Sequence, residues 1–236
     1  MKKDTCNFWR AVFIVIVLLV AVDLIVGFFS DRLAVNMPPQ SGQIAKDNYR
    51  LHKMTDEIVI LGSSRGHHHY VTSVLSDSLD AFFGEHHTIY NAAIAGKFAN
   101  SNACAAEVIL SRYKPMLVIY DLPENQLRGK NYADIKFSTP FYWKDTIVRR
   151  YLDNISPRER VFMKSSLYRY NGKLQRIVSS YLRPEPLDGG YLPLFGTSID
   201  TTKTEPTKEI KNTHLNEYSK ANFERMLERY KAEGVT

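Results

Sequence analysis

The sequence EIVILGSS, residues 57–64, decides the fold of this chain. After Glu57, the residues Ile58 to Leu61 form a short, continuous run of apolar and mostly β-branched side chains, which is typical of a strand buried on both faces of a parallel sheet. Gly62, Ser63 and Ser64 follow directly and end the apolar run. We therefore predict a buried strand at 57–61 that opens into a polar turn.

Two further strands are predicted at 87–90 and 116–120, and each is preceded by a segment with helical periodicity, at 72–83 and 102–113. Strands that alternate with helices indicate a parallel sheet with right-handed crossovers. The expected fold class is α/β, with three layers (α/β/α) around a flavodoxin-like sheet.

Composition excludes several classes of protein. The chain has 236 residues, 44% of them hydrophobic and 24% charged, with a formal net charge of +6. These are the values of a globular protein, so a disordered, collagen-like or polytopic membrane chain is excluded. The 2 cysteines, Cys6 and Cys104, are too few for a disulfide-stapled domain or a Cys-based zinc site. Basic residues form no stripe interleaved with aromatic residues, so nucleic acid is not an expected partner.

The apolar run of 19 residues from Ala11 to Phe29 contains one charge, Asp23. Its length fits a membrane-spanning helix, and the preceding Lys2, Lys3 and Arg10 favour a cytoplasmic N-terminus with the domain across the membrane. A cleavable signal peptide is the alternative, but it usually has a shorter apolar core and a small-residue cleavage site. Asp23 is expected either to reach headgroups near the end of the span or to mark a partner helix.

The rest of the chain divides by composition into segments with different expected roles. They are a cytoplasmic tail at 1–10, the anchor at 11–29, a stalk at 30–54, the first half of the α/β domain at 55–127, a helical insertion at 128–212 and a final helix at 213–236. Gly234 ends that helix and Val235 follows, as where a helix leads into a parallel strand. We therefore expect the sequence to be truncated, with a further strand beyond Thr236.

Polar clusters follow all three predicted strands. They are Gly62-Ser63-Ser64-Arg65, Asn91 to Gly96, and Glu124-Asn125. Ligands bind at the carboxyl ends of parallel strands, so we expect these clusters to converge. A serine hydroxyl surrounded by the backbone amides of Ser64 and Gly96 and the Asn125 side chain has the makings of an oxyanion hole.

These residues resemble the conserved blocks of the SGNH/GDSL hydrolase superfamily, over about residues 55–127. Gly62-Ser63-Ser64 takes the place of Gly-Asp-Ser, Asn91 and Gly96 that of the Asn…Gly block, and Pro123-Glu124-Asn125-Gln126 that of Gly-x-Asn-Asp. The resemblance implies Ser64 as the catalytic nucleophile. It also implies that the oxyanion-hole donors are the Ser64 amide, the Gly96 amide and the Asn125 side chain.

The chain departs from the family in its fourth block, Asp-x-x-His, which supplies the catalytic base. His214 is a weak candidate because Lys211 stands where the aspartate belongs. We expect the base to lie beyond residue 236. Without a base a serine hydroxyl is a weak nucleophile, so low activity is expected of this chain alone.

The resemblance implies a membrane-anchored serine esterase or acyltransferase that acts on an acylated envelope glycan, without a cofactor or metal. The alternative is a non-catalytic scaffold of the same fold that binds a glycan or an envelope membrane protein. A third interpretation takes 62–66 as a phosphate-binding turn, but the lysine and glycine spacing of a P-loop are missing.

Each candidate residue also has a purely structural interpretation. Ser64 can cap the helix that follows it, Gly96 can serve a turn with positive φ, and Asn125 can cap or turn the chain. The run His67-His68-His69 suggests a metal site, but consecutive histidines cannot all face one ion. We expect the three to lie in a solvated loop beside the cleft.

Overall fold

The computed structural model describes residues 2–39, 42–123, 127, 131–184, 187–194 and 215–235. Helices and strands are numbered in chain order. They are α1 (Lys2–Asn36), α2 (Gln43–His52), β1 (Ile58–Leu61), α3 (Ser64–His69), α4 (Thr72–Phe83), β2 (Ile89–Asn91), α5 (Ala99–Arg112), β3 (Leu117–Tyr120), a 3₁₀ segment (Asn131–Phe141), α6 (Thr146–Asp153), α7 (Pro157–Phe162), α8 (Ser166–Tyr170), α9 (Leu174–Leu182) and α10 (Glu217–Ala232).

The described strands form a mixed α/β arrangement with a small, parallel, three-stranded sheet in the order β2-β1-β3. Ile58 of the central strand pairs with Ile89 on one side and with Leu117 on the other. All four residues of β1 are buried, as the apolar run predicts. The full three-layer fold remains a prediction, but parallel strands alternate with helices as expected.

Helices cover both faces of the sheet. Val59 and Leu61 belong to the main core together with residues of α2, α5 and α10. Ile58 and Ile60 face the other way and pack with Leu75 and Leu79 of α4. Successive side chains of a strand point to opposite faces, so β1 must be apolar throughout.

The apolar helix α1 is long enough to cross a membrane over Asn7–Asn36. Its outer surface leaves large apolar side chains exposed from Phe8 to Phe29. One apolar N-terminal helix of this kind indicates a membrane anchor or a signal sequence. The side of the membrane on which the domain lies stays a prediction.

The segment at 30–54, which we predicted to be a stalk, is largely helical and packed. α1 continues to Asn36, and α2 buries most of its side chains, including the charged Lys46, Asp47 and Arg50. Polar composition misled the prediction, since these charges have partners inside the domain rather than in solvent.

The described part of the 128–212 region is mostly helical. The helices α7, α8 and α9 within it are short and separate. Ser156 does cap α7, since its hydroxyl accepts a hydrogen bond from the backbone N–H of Glu159.

Candidate functional site

Ser64 lies at the carboxyl end of the central strand, where α3 begins. Its side chain is exposed, as is that of Arg65, whereas Gly62, Ser63 and Gly66 around them are buried. The buried strand therefore ends in a turn that presents the Ser64 hydroxyl to solvent at the sheet edge where parallel folds bind ligands.

The turn is held tightly between the loops that follow β2 and β3. A Cβ atom on Gly62 would lie 3.0 Å from the Cβ of Asp121, and one on Gly66 would lie 2.9 Å from the Cβ of Ala93. A Cβ atom that close to another side-chain atom would force the neighbouring groups to move. Glycine at 62 and 66 thus allows all three strand ends to meet.

Hydrogen bonds tie the turn to the loop after β2. The backbone N–H of Ile94 donates to the Gly62 carbonyl at 3.3 Å, and the Asn102 side-chain amide donates to the same oxygen at 3.2 Å. The buried Asn91 donates from Nδ2 to the Gly66 carbonyl at 2.8 Å and to the Tyr70 carbonyl at 3.1 Å. Asn91 therefore acts as a structural link between β2 and α3.

Gly96 lies in the same loop and is exposed, with φ at +77° and open space around its Cβ position. The left-handed conformation explains the glycine. The loops that carry Ser64 and Gly96 are thus in direct contact through Ile94 and Gly62. Asn125 and Glu124 lie outside the described residues, so the third predicted donor, and with it the complete oxyanion hole, stays a prediction.

The loop after β2 is also fixed from its other side, by α2. Gln43 Nε2 donates to the Ala95 carbonyl at 2.9 Å, Lys46 Nζ to the Ala93 carbonyl at 2.5 Å, and Arg50 Nη1 to the Ala92 carbonyl at 3.3 Å. The three donors are spaced i, i+3 and i+7, and so share one face of the helix. This clamp was missed from the sequence, although the polar stripe at that spacing was a signal for it.

A buried ion cluster lies beneath the clamp. Asp47 accepts hydrogen bonds from Arg50 at 2.7 Å, from Lys97 at 3.2 Å and from the Ser138 hydroxyl at 2.6 Å. Burial alone would raise the pKa of Asp47, but the charges of Lys97 and Arg50 outweigh it and hold that pKa at about 2. Asp47 is therefore ionised at neutral pH and joins α2, the loop at Lys97 and the 3₁₀ segment.

Lys46 is fully buried and donates a second hydrogen bond, to the Gly190 carbonyl at 2.6 Å. Burial, reinforced by the nearby charge of Arg50, lowers its pKa well below the ordinary value. The described contacts of its Nζ are both with carbonyl oxygens, so this lysine acts as a double hydrogen-bond donor that joins two loops.

On the opposite side of the turn, Arg65 forms an ion pair with Asp121, the residue directly after β3. Its Nη2 and Nε lie 2.6 Å and 2.8 Å from Asp121 Oδ1. The two residues are 56 positions apart in sequence.

We expected the three histidines after the turn to lie in a solvated loop, but they lie in α3. His67 is buried, and its ring lies 4.6 Å from that of His68. Burial, with the Lys46 charge as the second cause, lowers the pKa of His67 to about 3. Within the described parts of the chain, no group of three or more His, Cys, Asp and Glu side chains is placed to hold a metal ion.

The described part of the site contains an exposed serine, Ser64, whose surrounding loops are fixed by hydrogen bonds. The catalytic base has not been identified among the described residues. No described residue forms a hydrogen bond with the Ser64 hydroxyl, and His214 lies outside the described residues. A scan of protein-family models and searches of curated proteins and solved structures found no match to this chain.

Proposed function

We propose that this chain is a membrane-anchored, SGNH-like serine esterase or acyltransferase, in which Ser64 attacks an ester-linked acyl group. The observation that carries the proposal is the exposure of Ser64 at the carboxyl end of a fully buried central strand, at the start of a helix. A serine in that position is open to substrate and is held by the strand behind it.

The topology supports the same proposal. The strand order β2-β1-β3 is the beginning of the flavodoxin-like order 2-1-3-4-5, in which ligands bind outside the carboxyl ends of the strands near β1 and β3. Ser64 follows β1, and its neighbour Arg65 reaches the loop after β3. The serine therefore lies at the switch point between the two halves of the proposed sheet.

In the proposed reaction, the Ser64 oxygen attacks the ester carbonyl while a base removes its proton. The tetrahedral oxyanion accepts hydrogen bonds from the Ser64 and Gly96 amides and from Asn125, the donors that the family resemblance implies. The carbon–oxygen bond of the ester then breaks, and the alcohol leaves with the proton. Water or a second hydroxyl finally takes the acyl group from Ser64.

Rigid loops favour this chemistry because oxyanion donors work best when they are fixed beforehand. Three side chains of α2 each donate a hydrogen bond to a different carbonyl group of the Gly96 loop, at Ala92, Ala93 and Ala95. The anchoring helix α1 would keep the site close to a membrane, which suits an envelope glycan as the acylated substrate.

The alternative is a scaffold of the same fold that binds a glycan or an envelope membrane protein without chemistry. One observation favours it: among the described residues, no hydrogen bond joins the Ser64 hydroxyl to a histidine or a carboxylate that could act as a base. A protein that lacks turnover but still binds the acylated glycan would support the scaffold.

The direct test is ester hydrolysis by the full-length protein in detergent, with p-nitrophenyl acetate and an acetylated glycan as substrates. We expect Ser64→Ala to abolish turnover and Ser78→Ala to leave it unchanged, because Ser78 is an exposed residue within α4. Unchanged turnover in Ser64→Ala would refute the assignment of the nucleophile.

A further inference from the structure

The charged residue in the apolar part of α1, Asp23, is bound to the domain. Its carboxylate accepts hydrogen bonds from the Ser165 hydroxyl at 2.6 Å and from the backbone N–H groups of Ser166 at 3.1 Å and Leu167 at 2.8 Å. Asp23 thus satisfies the free N–H groups at the start of α8. We expected it to reach headgroups or a partner helix; its partner is a segment of its own chain.

Helix α8 continues alongside α1 beyond this contact. A Cβ atom on Gly27 would overlap the Ser166 hydroxyl, so the Ser166 side chain packs directly against α1 at this glycine. Further along α1, Asp31 accepts hydrogen bonds from Arg169 at 2.7 Å and from the Tyr170 hydroxyl at 2.5 Å. The start of α8 is therefore level with Asp23, and its end is level with Asp31.

The contact with Asp23 determines how deep the start of α8 would lie in a bilayer that α1 spans. The apolar run of α1 extends six residues past Asp23, to Phe29, whose side chain is 60% exposed. Six helical residues correspond to about 9 Å along the axis, at about 1.5 Å per residue. A bilayer that covers Phe29 therefore also surrounds everything that lies level with Asp23, including residues 165–167.

The surface of the corner at 161–167 carries three exposed apolar side chains and one exposed basic side chain, Lys164, which is long enough to extend towards headgroups. Val161 is 62% exposed and Leu167 is 42% exposed, with Phe162 also exposed between them. The guanidinium of Arg158 lies 5.1 Å from the centre of the Phe162 ring, and long basic side chains of this kind can extend towards headgroups. The backbone donors at the start of α8 are already satisfied by Asp23, as hydrocarbon surroundings require.

We propose that the corner at 161–167 is embedded in the lipid bilayer beside α1, so that the domain is partly immersed in one leaflet rather than held above it. The inference rests on the proposed anchoring by α1. It commits to one partner, the acyl chains and headgroups of the leaflet on the domain's side, because residues 165–167 of the corner contact α1 at Asp23 and Gly27, inside or next to its exposed apolar run.

The test uses nitroxide labels on single cysteines in the full chain, reconstituted in phosphatidylcholine–phosphatidylglycerol nanodiscs. Cys6 and Cys104 are replaced by Ala, and cysteine is introduced at Leu167, at Val161, at Ile25 as a lipid reference, and at Val74 as a water reference. Val74 is exposed on α4, a helix on the far side of the sheet from α2 and α5. Accessibility to oxygen and to a water-soluble nickel chelate is measured at each site.

We expect the oxygen-to-nickel accessibility ratio at Leu167 and Val161 to be raised to the level seen at Ile25 and well above that at Val74. Ratios at Leu167 and Val161 equal to that at Val74, with Ile25 in lipid, would overturn the embedding and leave the anchor intact. A water-like ratio at Ile25 itself would overturn both, so the two failures are distinguishable.

Discussion

The ammonium group of Lys46 lies 2.5 Å from the carbonyl oxygen of Ala93 and joins a helix that precedes the sheet to the loop that carries Gly96. The pair is fully buried. Because of this contact, the candidate site depends on α2, a segment whose sequence indicates only a polar linker. The geometry of the oxyanion loop is therefore set from outside the sheet.

The variant Lys46→Met keeps the length of the side chain but removes the donor. Two buried carbonyl oxygens, those of Ala93 and Gly190, then lose a partner, which should lower the free energy of unfolding by about 1–3 kcal/mol. Hydrogen exchange at 92–97 should accelerate in the same variant. The control is Lys231→Met, at an exposed position of α10, which should behave as the parent. Equal protection of 92–97 in the two variants would contradict the clamp.

The contact between Gly66 and Ala93 gives a test with a built-in rescue. Gly66→Ala places a methyl group 2.9 Å from the Ala93 Cβ, and such overpacking should cost about 1–3 kcal/mol in unfolding free energy. Removing the opposing methyl group in the double variant Gly66→Ala with Ala93→Gly should recover part of the loss. Urea unfolding in detergent measures both. A double variant less stable than the sum of the single changes would show that the two loops do not meet as described.

The sheet and its helices were largely predictable because their signals are local. The buried strand at Ile58–Leu61 and the helix at Thr72–Phe83 lie where the apolar patterns indicate. Strand pairing followed from alternation alone, since parallel strands need crossover helices. The positions of Ser64 and Gly96 at the same sheet edge follow from that topology.

The contacts that were missed are those between residues distant in sequence. Lys46, Asp47 and Arg50 have the composition of a solvated face, but each of their hydrogen-bond partners outside α2 lies 42 or more residues away in sequence. Asp23 is bound by residues more than 140 positions further along the chain. Burial of a charge depends on such tertiary partners, and a polar stripe on a helix does not identify them.

The buried His67 should make stability depend on pH. Its pKa is lowered from 6.5 to about 3 in the folded protein, so between these values the unfolded chain binds a proton that the folded chain does not. Stability should therefore fall as the pH falls from 6.5 towards 3, by at most about 1.4 kcal/mol per pH unit from this residue. His52, with a pKa lowered to about 4, acts in the same direction.

His67→Phe should reduce this slope, because phenylalanine preserves the buried ring and does not titrate. His69→Phe is the matched control, since the His69 side chain is exposed. Urea midpoints between pH 4 and 7 give the slopes. A parent-like slope in His67→Phe would show that His67 is protonated in the fold or open to water.

The most direct measurement is covalent labelling of the full-length protein with a fluorophosphonate, followed by intact mass and peptide mapping. We expect one adduct, on Ser64, that disappears in Ser64→Ala and persists in Ser78→Ala. An adduct on another residue, or none at all in a folded and glycan-binding protein, would contradict the central claim that the exposed serine at the end of β1 is a nucleophile.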